Sequence, residues 1–485
     1  MSLESRVKFL ADAVAYDPQS PMLFNSGLFL LFFSLFYFFY VFGYQNKRFR
    51  TLYVVAFSSF FYYKSSGWYL GVLLLTVFVD YFVARHVARH RNRRSTRGFV
   101  AFSIVANLGL LLYYKYANFF LTDVGSLFGL RFSPLDLFLP IGISFYTFQS
   151  ISYVVDAYKG EIEPANSFWD YAFYMTFFPH LVAGPIVRAK DFLPQLTQKI
   201  SIDREAVGTG LFLILKGLAK KAVFADYLAG FNDLVFSAPG QHSPIDNWAA
   251  FYGYALQIYF DFSGYSDMAI GLARLMGFTL LPNFDRPYTA RNITEFWRKW
   301  HVSLSHWLRD YIYIPLGGSR RGNTNRNLFL TMLIGGFWHG ASWNFIAWGA
   351  MHGAALIADK AFNRPMPGKF GKFFAVVLTF HFVALMWLPF RISGTETLFV
   401  MLRQMAVFDV SLSGVAQFLE ARTLWVFFAL WGMGFHFVPL ELREEARIRF
   451  VHSPLVLKIA AFILVIQIIV QLADQSVQPF IYFQF

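Results

Sequence analysis

Two histidines stand where histidine is out of place. His339 lies in the apolar run FWHGASWNFIAWGAMHGAA, from Phe337 to Ala355, beside Gly340 and between Trp338 and Trp343. An ionisable side chain in such a run is costly to bury and marks a functional site by default, and the adjacent glycine permits close backbone approach. His301 lies in RNITEFWRKWHVSLSHWLRDYIYIPLGG, which starts at Arg291; there Trp297, Trp300, Leu304, Trp307, Leu308 and Tyr311 recur at helical spacing. At about 100° per residue, His301 falls within about 40° of Trp297, inside the apolar stripe, whereas His306 falls opposite. An imidazole titrates at about pH 6.5, so either ring could serve as a general base or a proton relay.

Other polar groups in apolar surroundings are weaker candidates. ALQIYFDFSGYSDMAIGLA, from Ala255, carries Asp261, Tyr265 and Asp267 around Gly264. The two aspartates are roughly 240° apart on a helix, so they do not share a face as an acid/base pair would. Asp261 reads equally as a group lining a site and as one satisfying polar atoms freed at a break at Gly264. Of the eleven histidines, His86, His90, His242 and His452 fall in loops or at span ends, while His180, His352, His381 and His436 read as structural. His352 is about 140° round a straight helix from His339, no HExxH occurs, and the chain has no cysteine. No metal site is expected.

These residues must be positioned by membrane helices. The chain is 485 residues long, 56% hydrophobic and 15% charged, against about 25% charged in ordinary soluble domains. Apolar windows place spans near 23–42, 51–63, 68–84, 99–114, 137–155, 206–224, 249–273, 327–338, 344–359, 373–390, 424–440 and 454–472. The fold class is therefore an all-α polytopic membrane protein of about 11–12 spans. The run 169–187, broken by Pro179, Gly184 and Pro185, suits a re-entrant or interfacial segment. Residues 291–314 read as one interfacial amphipathic helix with Thr294 as a possible N-cap, and 327–359 as a hairpin. Residues 1–21 form a leader, either an interfacial helix or a stretch upstream of a working start at Met22, and 22–485 form a single domain. The terminal FIYFQF mimics a β-barrel signal that nothing upstream repeats.

Counting Lys and Arg by alternating loops gives 30 on one side and 8 on the other. The positive-inside rule makes the first side cytoplasmic and both termini extracytoplasmic. The net charge of +13 thereby becomes topology rather than a sign of nucleic-acid binding.

The blocks YFDFSGYSDMAIG, FWRKWHVSLSHWLRDYIYIPLGG and GGFWHGASWNFIAWGAMHG, in that order, resemble the membrane-bound O-acyltransferase family. MLFNSGLFLLFF, FFPHLVAGPIVRAKDFLPQL and the terminal FIYFQF are similar to its bacterial alginate O-acetyltransferase branch, so the resemblance runs from about residue 22 to the end. It implies a tunnel joining a cytoplasmic donor side to an external acceptor side, with His339 and His301 at the family's two characteristic polar positions. It also implies acetyl-CoA as donor, with no metal, and an extracytoplasmic polysaccharide as acceptor. A partner acetyltransferase of the SGNH type outside the inner (plasma) membrane is the further expectation. On this reading His339 is the base, helped by desolvation among Trp338, Trp343 and Phe337, and His301 orients the acceptor or stabilises the tetrahedral intermediate. Trp300, Trp338, Asn344, Tyr265 and Asp261 line the site, and Arg309, Arg298 and Lys299 are candidates for the donor phosphates. D-alanyl or other acyl transfer to a cell-wall polymer is the alternative, and a proton-coupled transporter a third, although no second copy of either histidine block supplies the repeat that transporters show.

Overall fold

A computed structural model describes residues 13–18, 21–91, 93–182, 184–362, 367–392, 394–407 and 411–472. Most of the expected leader and all of FIYFQF lie outside the described residues. Every regular element among the described residues is helical. The chain divides into two compact units, residues 1–211 with 269–281, and residues 212–268 with 282–485.

In the first unit the principal helices are α1 (Gly27–Gly43), α2 (Lys47–Ser66), α3 (Leu70–Arg89), α4 (Arg94–Leu111), α5 (Ile143–Lys159) and α6 (Phe168–Thr176). Ser26 and Asn46 cap α1 and α2 with side-chain oxygens that accept the N–H groups of Phe29 and Phe49. Gly67, at φ 59, separates α2 from α3. The core here is aromatic: Phe178 lies within 6.3 Å of the rings of Phe24, Phe29, Phe33, Phe36, Phe57 and Phe61, packing that adds to plain area burial. Phe178 reaches this position because the helical run ends at Thr176 and Phe177 turns out of helical geometry, just before Pro179.

A polar knot ties α3, α4 and α5 together. The fully buried Asp80 accepts hydrogen bonds from Ser103 Oγ at 2.6 Å and Asn107 Nδ2 at 3.0 Å, and from Ser150 Oγ. Three donors satisfy a carboxylate that water cannot reach.

The second unit holds the part of α7 (Arg204–Leu218) from Phe212 and the part of α8 (Pro244–Leu275) up to Met268. Its other principal helices are α9 (Ile293–Lys299), α10 (Val302–Leu308), α11 (Thr324–His339), α12 (Trp343–Phe362), α13 (Gly368–Arg391), α14 (Thr423–His436), α15 (Leu440–His452) and α16 (Leu455–Leu472). Helix α8 runs unbroken through Gly264, contrary to the expected break. The glycine serves instead as a crossing point, since a Cβ there would meet Gly217 O at 2.8 Å and Lys221 N at 2.9 Å.

Among the described residues, four helical stretches are long and apolar enough to cross a membrane, Lys47–Arg89, Arg94–Tyr116, Gly368–Arg391 and Leu455–Leu472, with α14 and α15 together a fifth candidate bent by 100°. Other expected spans are shorter, as α1 and α11 are at 17 and 16 residues, below the roughly 20 that a lone crossing needs.

Candidate active site

The segment around His301 is not the single amphipathic helix expected from its periodicity. The helix is capped by Asn292, whose side chain accepts Glu295 N–H at 2.7 Å, while Glu295 accepts Arg291 N–H at 2.9 Å. The pair resembles a capping box shifted by one residue, since the N3 carboxylate takes the N–H before the cap rather than that of the cap itself. Thr294, the expected cap, donates its N–H and hydroxyl to Asp359 of α12. Helix α9 stops at Lys299, Trp300 is extended, and His301 adopts a left-handed conformation at φ 44, ψ 54 before α10 begins. A non-glycine residue held there costs about 1–2 kcal/mol, so its surroundings must hold it.

Asn283 does so. Its Oδ1 accepts from Ser303 N–H at 3.1 Å, Ser303 Oγ at 2.9 Å and His301 Nδ1 at 3.2 Å, and its backbone carbonyl accepts Val302 N–H at 3.0 Å. One buried side chain thus caps α10 from outside the helix. Because that oxygen only accepts, Nδ1 of His301 carries the proton and Nε2 the lone pair. The His301 ring is fully buried, meets Phe262 edge-on with centroids 4.7 Å apart, and lies 6.5 Å from the ring of Trp338.

His339 is mounted differently. It is the last residue of α11, 4% exposed, with its ring 5.0 Å from Trp338, 5.1 Å from Trp348 and 5.2 Å from Phe390, each near perpendicular. Helices α11 and α12 touch at two glycines, because a Cβ on Gly336 would meet Phe345 O at 2.4 Å and one on Gly349 would meet Met332 O at 2.5 Å. A Cβ on Gly340 would strike the Phe345 ring at 2.1 Å, so the glycine after His339 admits that ring. The expected desolvating partner Trp343 is 47% exposed; Trp348 and Phe390 supply the apolar wall, one from a turn later on α12 and one from α13.

The structure therefore brings His301 and His339 to the same side chain, Trp338. Trp300 is buried beside them in its own cluster, 4.8 Å from Trp387 and 5.0 Å from Phe284. Tyr265 is fully buried. Asn344 donates to the Ile392 carbonyl just past α13, which holds the helix that carries Phe390. Asp261 pairs with Lys221 at 2.5 Å, a helix-fixing contact. The three expected phosphate contacts are not gathered: Arg309 closes on Asp310 at 2.7 Å, Lys299 on Glu295 at 2.8 Å and Thr289 at 3.0 Å, and Arg298 is exposed.

Two of the histidines read as structural are bonded across segments, and one charge cluster escaped the sequence reading. His352 is fully buried with its ring 4.6 Å from Trp348, and its Nδ1 accepts from Trp297 Nε1 at 3.3 Å. Lys216 and Lys220 both bind Asp267, at 3.0 and 2.7 Å, and Lys221 binds Asp226 at 2.7 Å. His436 accepts Tyr288 N–H at 3.1 Å. The lysines' spacing within one apolar run, opposite two aspartates in the next, was a usable signal. Among the described residues no group of three His, Cys, Asp or Glu side chains could hold a metal ion.

The model of the membrane-bound O-acyltransferase family matches residues 161–388, which contain both histidines. The chain is 36% identical to the probable alginate O-acetylase AlgI of Azotobacter vinelandii over 96% of this chain and 100% of that protein. This chain belongs to the membrane-bound O-acyltransferase family. It is also 38% identical to the peptidoglycan O-acetyltransferase of Helicobacter pylori, over 81% of each chain. Teichoic acid D-alanyltransferase of Bacillus subtilis is a more distant relative, 27% identical over 52% of this chain and 68% of its own. As a member of the family, the chain is a multi-pass membrane O-acyltransferase, and the transporter expectation is set aside.

Proposed function

We propose that the protein transfers acetyl from cytoplasmic acetyl-CoA to hydroxyls of an extracytoplasmic polysaccharide, with His339 as general base. The observation that carries this reading is the placement of two buried imidazoles on one tryptophan, in a chain whose relatives include acetylases of alginate and peptidoglycan. The ring of His339 takes the proton of the attacking hydroxyl, the oxygen bonds to the thioester carbonyl carbon, and a tetrahedral oxyanion forms. The C–S bond then breaks and the leaving thiolate takes back the proton. Nε2 of His301, holding a lone pair, accepts a hydrogen bond from a second hydroxyl of the acceptor and so orients the attacking one. Trp338, Trp348 and Phe390 exclude the water that would hydrolyse the thioester.

The basic loops support an inner-membrane orientation with both termini outside, which leaves the extracytoplasmic face to an SGNH-type partner that completes transfer to an alginate-like or cell-wall glycan. D-alanyl transfer is the second reading, supported by the Bacillus relative. The test is acetyl-ester NMR of exopolysaccharide and peptidoglycan from cells with the intact protein, His339→Ala at equal membrane expression, or no protein. Acetyl esters that vanish in the last two support the reading. Acetylation unchanged in the deletion overturns it for that polymer, and D-alanyl esters lost in its place favour the second reading.

A further inference from the structure

Among the described residues, two non-glycine residues have positive φ, both at 44°: His301 and Arg286. The first belongs to the candidate active site, and the second belongs to nothing yet described. Arg286 also precedes Pro287, a position biased toward extended backbone, so its left-handed conformation is doubly unfavourable. Strain of this kind persists where the surroundings over-determine it, and it concentrates at ligand sites.

The charges around Arg286 do not balance. Its nearest carboxylate is that of its neighbour Asp285, at 3.6 Å and 55% exposed. Among the described residues Arg443 of α15 makes no ion pair; its Nη2 donates to the carbonyls of Phe435 at 2.5 Å and His436 at 2.9 Å, and its side chain also bonds Tyr259. The Nε atoms of both arginines are buried without a hydrogen-bond acceptor, and the two guanidinium groups are close enough to repel each other. Lys220 shares the single carboxylate of Asp267 with Lys216 and sits 5.4 Å from the ring centre of Tyr259. Four cations therefore face two carboxylates, one of them largely in solvent.

These groups are held on separate segments by one latch. His436, at the end of α14, accepts Tyr288 N–H at 3.1 Å, and its ring lies 4.7 Å from Tyr259 and 5.2 Å from Tyr288. The latch fixes the turn carrying Arg286 against the end of α14, after which the chain bends by 100° to bring Arg443 round. Lys220 comes from the π-helical stretch Ala219–Ala225, a local geometry enriched at functional sites.

We propose that Arg286, Arg443 and Lys220 form a binding site for a phosphate group beside Tyr259 and His436. The two Nε–H groups left without an acceptor and a shared lysine match the charge and the hydrogen-bonding needs of a phosphate oxyanion. The phosphate can come from the acyl donor or from a phospholipid headgroup, and only the first source rests on the acetyl-CoA reading above.

The test uses the full chain in phosphatidylcholine nanodiscs, intact or as Arg286→Gln and Arg443→Gln, with Arg443→Lys as a variant that keeps the charge and loses the fork. Turnover of acetyl-CoA is compared with that of S-acetylpantetheine, which has no phosphate. Thermal protection by CoA and by added phosphatidylglycerol is measured alongside. For a donor site, the preference for acetyl-CoA over S-acetylpantetheine falls at least tenfold in the Gln variants, mainly through KM, and CoA protection is lost, with Arg443→Lys intermediate. For a headgroup site, CoA protection survives and phosphatidylglycerol protection disappears. If both protections survive in both Gln variants, or both thioesters lose turnover equally with protections intact, the phosphate site is overturned. If the intact protein turns over neither thioester, the acetyl-CoA reading fails, and the phosphatidylglycerol arm still decides the site.

Discussion

In the first unit Asp80 is closed off by three neutral donors on two neighbouring helices, and the buried His180 donates through Nε2 to Tyr174 O, 2.8 Å away within its own segment. In the second unit the buried polar groups come with strain and crowding: His301 is left-handed, Asn283 serves three donors with one oxygen, and two lysines share one aspartate. Both arrangements satisfy the requirement that polar atoms away from water find partners. They differ in what they cost. A closed knot of neutral donors stabilises helix packing, whereas a strained residue needs support from elsewhere, and that expense is the mark of a site shaped for something other than stability.

The largest effect should come from His339→Ala, which removes the proposed base while leaving the α11–α12 glycine crossing intact. Acetyl transfer should fall by about 10²–10⁴-fold with a normal elution profile and melting midpoint. A residual rate near that of the intact protein would remove the functional half of the comparison.

Next is the mount of His301. Asn283→Ala strands the Ser303 N–H and frees the imidazole, so we expect a loss of about 1–2 kcal/mol in stability, as for other lost caps, and a fall in turnover of about 10²-fold from misplacement of the ring. Asn283→Asp, which keeps an acceptor, should recover most of the stability. Equal losses in both variants would show that the oxygen is not what holds the break.

Asp80→Ala should do the reverse. Leaving Ser103, Asn107 and Ser150 without their acceptor is expected to cost about 1–3 kcal/mol, read as a lowered melting midpoint, while activity per folded molecule stays within twofold. A selective loss of activity would mean that the knot of the first unit is more than scaffolding. The smallest effect is expected for Arg298→Gln and Arg309→Gln, an exposed side chain and one closed on its neighbour: KM for acetyl-CoA should change by less than about twofold, since surface ion pairs contribute little.

The sequence by itself determined the class of molecule, and it singled out the two histidines on which the proposed chemistry rests. Long apolar runs, the 30-to-8 split of basic residues and three motif blocks are all local or additive signals, and they survive without knowledge of what packs against what. The reading of 327–359 as a hairpin rests on the same kind of signal, two adjacent apolar windows separated by a short turn.

Only the tertiary structure decided the rest. Periodicity made residues 291–314 one helix, but the break at His301 is held by Asn283, eighteen residues earlier. Trp343 looked like the wall of His339 because it is near in sequence, yet Trp348 and Phe390 form that wall through a helix turn and a separate helix. Gly264 looked like a break and is a crossing point, since a glycine's missing side chain matters only once a second backbone arrives. Lys220, Arg286 and Arg443 come from three separate segments, and no spacing rule joins them. Hydrogen bonds and charge pairs act over a few ångströms of space, whereas a pattern in sequence reports only what one segment does with itself.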